Sequence, residues 1–514
     1  ERSGAARSVP HSRMSGRRAW VLVAIHLLLI AHVLWWWFSQ SSTLTPLEPS
    51  EGMAFSKEGI VNAGLVLFAV AALATLVFGR YFCGWACHLV ALQDGCRWIL
   101  LKLGLRPVPF RSRLLKWVPI AAFVYMFLLP YLLRWYEGIP QPGVSKFEWT
   151  TTAFWQTFPG WGVGIATFLV CGFALVWFLG SKGFCTYACP YGALFGAADP
   201  FAVGRIRVSD ACEGCGHCTA VCTSDVRVHQ EVREFGMVVD PGCMKCMDCV
   251  SACPNDALSF GFGMPAAFAK RRAPAAPRPQ SLPWTLDVAL LLIFAGSFFV
   301  LRDLYGFVPF LLAVGLGVAT AWMASLAWTL LSAPRARFSA WVLKRDGRLR
   351  RSGVVFLTLC VLWAGVLAHA SLIRVRTLPR NAAFEEMRPW MESVLVGGHP
   401  VEGGAPEPFL AIGQRLEHHV LATRAAGWIP ESRNAWAMAW AHLAQSDRDG
   451  FEREMAEVLR LRPAFGEVLM QRGLVRYWSG DRDGARADFA QIRWSDPRRL
   501  EAEAFLADLE AQSS

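Results

Sequence analysis

Two short stretches hold cysteines at spacings that suit metal chemistry. CEGCGHCTAVC places Cys212, Cys215, Cys218 and Cys222, and CMKCMDCVSACP places Cys243, Cys246, Cys249 and Cys253. Each reads Cys-x2-Cys-x2-Cys-x3-Cys, the ligand run of a [4Fe–4S] cluster. Three closely spaced thiolates wrap one corner of a cubane, and the fourth reaches the neighbouring cluster. The spacing therefore predicts one site from Cys212, Cys215, Cys218 and Cys253, and a second from Cys243, Cys246, Cys249 and Cys222. Zinc is the alternative for any cysteine group, but zinc sites draw their ligands as two pairs. Thr223 follows the first run where Pro254 follows the second, which alters loop shape and not the ligand count. A module of this kind conducts electrons, and nothing in it reads as a substrate pocket.

Two further pairs follow apolar runs. RYFCGWACH (residues 80–88) carries Cys83 and Cys87, and KGFCTYACP (182–190) carries Cys185 and Cys189. On a helix, residues i and i+4 share a face, so each pair is expected to present two thiols together. With the two preceding spans side by side, four thiols meet at the cytoplasmic edge. Such a group suits copper(I) or a further iron–sulfur cluster, or a redox-active dithiol pair. The structural alternative is small residues that let helices approach. His88 is a candidate fifth ligand or proton relay, set against an ordinary hydrogen-bonding role. His26, His32 and His369 lie in apolar runs, where an ionisable residue prompts a functional hypothesis. Haem would need two facing histidines, and a spacing of six puts His26 and His32 on different faces. Cys96, Cys171 and Cys360 are isolated and read as buried small residues.

The elements that position these residues are membrane spans. The chain has 514 residues, 54% of them hydrophobic, and a mean hydropathy of +0.32. A soluble protein of this length is less apolar. All 15 cysteines precede residue 361, a segregation that favours metal ligands over a disulfide framework. The net charge of +11 does not imply nucleic acid, because the basic residues crowd between apolar runs. About 20 apolar residues cross a bilayer. Seven runs qualify, near 20–38, 60–79, 117–133, 161–180, 284–301, 307–331 and 354–371; the fifth is weakened by Asp287. Five Arg in the N-terminal tail, seven Lys or Arg in 80–116 and seven in 334–353 contrast with one in 39–59 and two in 134–160. The positive-inside rule puts the basic segments in the cytoplasm and the C-terminal part outside. Trp35, Trp36 and Trp37 suit an interfacial belt, or packing equally well. SGRRAWVL has the look of a twin-arginine signal, but no small-residue cleavage site follows it. The chain begins with Glu, so its natural start is expected upstream.

The expected order is a basic cytoplasmic tail (1–19), spans one and two (20–79), a cytoplasmic loop with the first pair (80–116), spans three and four (117–180) and the second-pair segment (181–204). The two-cluster domain (205–262), a Pro, Ala and Arg linker (263–283), spans five to seven (284–371) with the basic loop 334–353, and a periplasmic helical domain (372–514) follow. In the last, SDRDGFEREM and GDRDGARADF align at a shift of 34, as do Pro463 and Pro497. That period, with Gly473, Ala485 and Phe489, resembles tetratricopeptide repeats, whose stacked helix pairs leave a concave docking groove. LEAEAFLADLEA reads as a closing helix, and a Gly-rich loop is expected near 397–405. The fold class is thus mainly α: a polytopic membrane protein with an inserted α+β two-cluster ferredoxin domain and a C-terminal helical repeat.

FCGWACHLVALQD, FCTYACPYGALFG and the eight ferredoxin cysteines together resemble the membrane polyferredoxins of the NapH/NosR type, over residues 60 to 262. Cytochrome oxidase accessory proteins share the layout. Pro190 follows Cys189 as in the family, but His88 follows Cys87; no flavin-attachment segment or β-sandwich tail is visible. The resemblance implies a bacterial inner-membrane electron carrier or quinol dehydrogenase-type subunit, not a stand-alone enzyme. It would exchange electrons between the quinone pool and a periplasmic reductase through two [4Fe–4S] clusters. A second reading is an assembly factor that reduces copper at Cys83, Cys87, Cys185 and Cys189 and docks a client enzyme on its repeats. A third, a docking protein with vestigial clusters, sits poorly with eight ordered ligands. The lipid bilayer is a partner in every reading, and nucleic acid in none.

Overall fold

The computed structural model describes residues 12–155, 160–275, 282–397 and 404–512. Parts of the basic tail, of the 263–283 linker and of the expected Gly-rich loop lie outside those residues. Six helices are long and apolar enough to cross a membrane: Arg13–Ser39, Leu115–Glu137, Trp161–Leu179, Trp284–Leu301, Phe310–Ser332 and Arg351–Val396. A seventh apolar helix, Ala63–Phe78, has 16 residues and is capped by the Asn62 side chain, which accepts from the Leu65 N–H. The seven match the apolar runs of the sequence one for one. In the third, a π-helical stretch at Val124–Leu128 precedes Pro130. Proline has no N–H to give and its ring crowds the turn before it, and a wider turn takes up the mismatch.

The loops at one end of the bundle are pinned by short strands. Thr43–Leu44 pairs antiparallel with Thr150–Thr151, and Ile60–Asn62 pairs in parallel with Lys146–Glu148. At the other end, Ala336–Phe338, Trp341–Arg345 and Arg348–Leu349 form a three-stranded sheet in the basic loop. The ferredoxin segment is closed by Gly204–Val208, antiparallel to Leu258–Phe262, with Ile206 opposite Phe260. This pairing brings the two ends of the cysteine-rich segment together.

The seventh helix continues past any bilayer. Arg351–Gly397 has 47 residues, about 70 Å at 1.5 Å per residue. Its far part, with Met387, Trp390, Met391 and Val394, is buried in the core of the C-terminal domain. Two helical hairpins follow at a shift of 34: Ser432–Ala444 with Arg448–Leu461, and Gly466–Trp478 with Arg482–Ala490. Asp447 and Asp481 occupy the same place in each and cap the second helix by accepting from Gly450 N–H and Gly484 N–H. Ser446 and Gly480, one residue earlier, both turn through positive φ. Arg499–Ala511 closes the array.

One buried ionic group joins the ferredoxin to the membrane part. Asp199, fully buried, accepts from Lys245 Nζ at 2.9 Å and Arg80 N–H at 3.1 Å on one oxygen, and from Arg205 Nη1 at 2.8 Å on the other. Asp199→Asn leaves two buried cations without a counter-charge. Removing one partner of such a group costs about 3–5 kcal/mol. The expected result is a clear drop in thermal denaturation temperature of the detergent-solubilised protein, larger than for Asp346→Asn in the exposed basic sheet.

Candidate metal centres

The cysteines of the ferredoxin segment gather in the two crossed sets. Cys212, Cys215, Cys218 and Cys253 line one recess, with His217, His229 and Pro254 at its wall. Cys222, Cys243, Cys246 and Cys249 line a second, with Met244, Lys245 and Met247. In each, three cysteines come from one run and one from the other. The loops achieve this by left-handed residues between ligands: Gly214 and Gly216 in the first run, Lys245 and Met247 in the second. The sets are neighbours, since Cys249 feels the charges of Cys243, Cys246 and Cys222 and also of Cys218. Burial, then Asp248, pushes the Cys246 thiol up to about 12, with Arg18 opposing. Ligation must displace such protons.

The paired cysteines do not sit on continuous helices, and here the structure departs from the i, i+4 reading. Cys83 lies in the short helix Tyr81–Trp85 and Cys87 is the N-cap of His88–Lys102. Cys185 lies in Gly183–Tyr187 and Cys189 is the N-cap of Pro190–Ala198. Both breaks use the same bonds: the N–H groups of Ala86 and Cys87 both donate to Phe82 O, and those of Ala188 and Cys189 to Phe184 O. The segments also re-enter the bundle. Each preceding helix ends at a glycine of positive φ, Gly79 or Gly180, where the chain reverses. Tyr191 then packs on Phe68 and Phe127. Phe68 lies 11 residues before Gly79, roughly 16 Å along its helix. Helix Pro190–Ala198 returns to the edge, where Val203 N–H meets Leu76 O. The thiols thus lie inside the bundle and not at its rim.

Within that interior the four thiols converge. Cys189 is within electrostatic reach of Cys185, Cys87 and Cys83, and Cys87 of Cys83 and Cys185. Cys83, Cys185 and Cys189 are 6–8% exposed. Donors surround them. Gln93 Nε2 donates to Cys185 Sγ at 2.9 Å, and Gly192 N–H to Cys189 Sγ at 3.4 Å. Two helix N-termini begin at Cys87 and Cys189, and such ends favour negative charge. Arg80 acts on Cys83 most strongly, then on Cys185 and Cys189.

The donor sets fit an anionic cluster. Nε and Nη2 of Arg80, and Nε and Nη1 of Arg18, are buried with no hydrogen-bond partner among the described residues. Arg18 stands beside Cys246, with Nη2 at 3.1 Å from Asp94 and 3.5 Å from Asp248. Orphaned charged donors cost more than about 1–3 kcal/mol each, and the sulfurs of a metal–thiolate cluster would accept from them. Among the described residues no three His, Cys, Asp or Glu side chains stand as the ligands of one ion would. The cysteine sets surround spaces instead, as thiolates on the corners of a cubane must. Arg80, Arg18, Gln93 and Lys182, which pairs with Asp94 at 2.5 Å beside Cys185, escaped the sequence reading. The available signal was a basic residue three places before the first cysteine of each pair, Arg80 and Lys182.

The third set abuts the second. A Cβ on Gly84 would lie 2.2 Å from Met244 O, and Trp85 Nε1 donates to Lys245 O at 3.0 Å. Met244 and Lys245 lie between Cys243 and Cys246. Other candidates have local partners. His88 Nε2 is 3.7 Å from Glu48. His26 bonds Leu22 O, His32 bonds Thr43 Oγ1 and His369 bonds Tyr305 OH. Cys96 packs at Gly172 and Cys171 donates to Leu311 O, as packing residues do. Gly84→Ala should force the second ligand loop away. Its expected signature is a changed EPR line shape for the Cys243 site, with the Cys212 site unaltered.

A family model described as a 4Fe-4S binding domain matches residues 62–106 and 162–209, the two re-entrant segments, and a 4Fe-4S dicluster domain matches 211–258. The ferredoxin-type protein NapH of Haemophilus influenzae is 28% identical over 39% of this chain and 67% of its own length. The methylamine utilization ferredoxin-type protein MauN of Methylorubrum extorquens is 26% identical over 41% and 75%. An uncharacterised protein of Methanocaldococcus jannaschii is 27% identical over 39% and 72%. No solved structure matches the chain. These similarities point to a membrane protein of iron–sulfur electron transfer, and in the first half of the chain they support a polyferredoxin of the NapH type.

Proposed function

We propose that this chain carries electrons through three neighbouring [4Fe–4S] sites, two in the ferredoxin and one inside the membrane bundle, between the quinone pool and a redox partner outside. The observation that carries this reading is the contact of Gly84 and Trp85 with Met244 and Lys245, which sets the third thiol group directly against the ligand loop of the second. A bound cluster supplies one-electron transfer at each site. The residues supply the rest. Cys83, Cys87, Cys185 and Cys189 would hold the third site, and the 4Fe-4S model that matches both of their segments supports iron there. Arg80 and the two helix N-termini offset its negative charge.

Beside Cys87 and Cys189 lies a polar group suited to a quinol, which gives up protons with its electrons. Glu48 faces His88 and accepts from Ser50 at 3.2 Å, with Tyr191 close by. The ferredoxin and the basic sheet face the cytoplasm of a bacterial inner membrane by the positive-inside rule. The C-terminal hairpins then lie outside, where a tetratricopeptide-like groove would dock the partner protein. A copper-reducing assembly role is the second reading, with Cys83, Cys87, Cys185 and Cys189 as soft ligands for copper(I); the iron count below separates the two.

Anaerobically purified protein should contain about twelve irons per chain, four per cubane. Cys83→Ser with Cys185→Ser should lower this to about eight, with both ferredoxin EPR signals kept. A count of eight in the parent would overturn the third site. Where twelve irons are found, Arg80→Met should make the third centre harder to reduce, because a nearby cation stabilises the more negative reduced state. Arg80→Lys should fall between. An EPR-monitored redox titration reads this, with the two ferredoxin centres as internal controls.

A further inference from the structure

A shallow polar recess lies where the fifth apolar helix ends against the middle of the seventh, away from the basic sheet. Arg302, Arg374, Arg380 and Arg433 line it, against only two carboxylates, Asp303 and Glu431. Both carboxylates are taken. Arg380 Nη1 donates to Glu431 at 2.8 Å and to Asn434 at 2.5 Å, and Arg433 pairs with Asp303. Arg302 and Arg374 are left without a carboxylate, and the Nε of each is buried with no hydrogen-bond partner among the described residues. Arg374 lies 4.6 Å over the ring of Phe299 and donates to Arg302 O at 3.5 Å, so its guanidinium is held at the recess.

The position is unusual for such charge. Arg374 lies 23 residues beyond Arg351, about 35 Å along the seventh helix, which is the far boundary of a hydrocarbon layer about 30 Å thick. Basic residues are depleted on that face of membrane proteins. Four arginines there, two of them unpaired, call for a ligand. We infer that Arg302 and Arg374 bind the phosphate of a phospholipid headgroup. Guanidinium and phosphate match as paired, charge-assisted hydrogen bonds. The surroundings favour a lipid over free phosphate: Phe299, whose ring lies under Arg374, is 49% exposed and gives the site an apolar flank on the bilayer side.

The lipid would sit at a joint. Glu431 and Arg433 belong to the start of the first C-terminal hairpin, and Asp303 to the turn between the fifth and sixth helices. Tyr305, in that turn, accepts from the Trp428 N–H and bonds His369, whose ring stacks on Trp428 at 3.5 Å. A bound headgroup would therefore brace the C-terminal domain against the bundle.

The test is native mass spectrometry of the full chain, delipidated in non-ionic detergent and given phosphatidylglycerol, a phosphate-free diacyl glycolipid, or inorganic phosphate. The parent should retain one phosphatidylglycerol in preference to the glycolipid. R302Q/R374Q should bind it at least about tenfold more weakly, as the loss of charged hydrogen bonds implies, and R302K/R374K should keep part of the affinity. Iron content equal to the parent's shows that a variant has folded; if the double glutamine variant does not fold, R302Q alone is read in the same way. Equal binding by parent and glutamine variants overturns the site. Binding of inorganic phosphate with no preference between the lipids overturns the lipid assignment.

Discussion

The carboxylate of Asp199 is the point on which the arrangement turns. It is fully buried and holds Lys245, Arg205 and the Arg80 backbone at once. Lys245 sits inside the second ligand loop, Arg205 on the ferredoxin strand, and Arg80 three residues before Cys83. Asp199 itself follows helix Pro190–Ala198, which begins at Cys189. One side chain thus fixes the ferredoxin fold, its inner ligand loop and both re-entrant segments in a common frame. Taking ions out of water is expensive, and their mutual attraction repays it only in good geometry. That makes the junction intolerant of partial docking: with the ferredoxin displaced, Asp199 would lose the two cations that balance its buried charge.

The re-entrant segments solve a problem set by the bilayer. Broken helix at membrane depth exposes N–H and C=O groups, which is tolerated only where protein covers them. Here the cover comes from Phe68, Phe127, Tyr191 and Phe195, packed as one aromatic group around the two turns. Each turn then has freedom to aim its cysteines inward. Gly84 is required by the approach of Met244 O, which leaves no room for a side chain. The equivalent position in the second segment is Thr186, whose hydroxyl bonds Lys182 O instead. The first segment touches the ferredoxin through this position, and the second turns its hydroxyl back on its own backbone, so the two halves are alike in backbone and unlike in contact.

What the sequence disclosed follows from the range of each signal. The eight cysteines of the ferredoxin segment stood out in the sequence, because their spacing is local and strict. The seven apolar helices were legible because burial in lipid leaves long unbroken runs. The 34-residue shift was legible in Asp447, Gly450, Asp481 and Gly484, since a capped turn needs those residue types in place. The re-entry of Cys83–Cys87 and Cys185–Cys189 was not. A span followed by Arg or Lys reads as an exit into water, and Arg80 and Lys182 gave that signal while turning inward. Helical spacing also suggested continuous helices, whereas each second cysteine caps a new one. The contact of Gly84 with Met244 joins residues 160 positions apart and leaves no mark in either stretch.

The distribution of buried arginine follows the gradient of exposure across the three cysteine sets. Cys212 and Cys215 are exposed, and water can offset charge at that set. The second set is half-buried to buried, and Arg18 stands beside Cys246. The third lies within the bundle, and Arg80 faces three of its four sulfurs. As water is withdrawn, a fixed guanidinium takes over its role, which is needed because charge interacts more strongly where the dielectric is low. A small-residue packing role for Cys83, Cys87, Cys185 and Cys189 would leave Arg80 as a buried cation tied to Pro241 O through Nη1, with Nε and Nη2 unmatched among the described residues. The arginine, and not the cysteines alone, is what makes the interior site read as built for an anion.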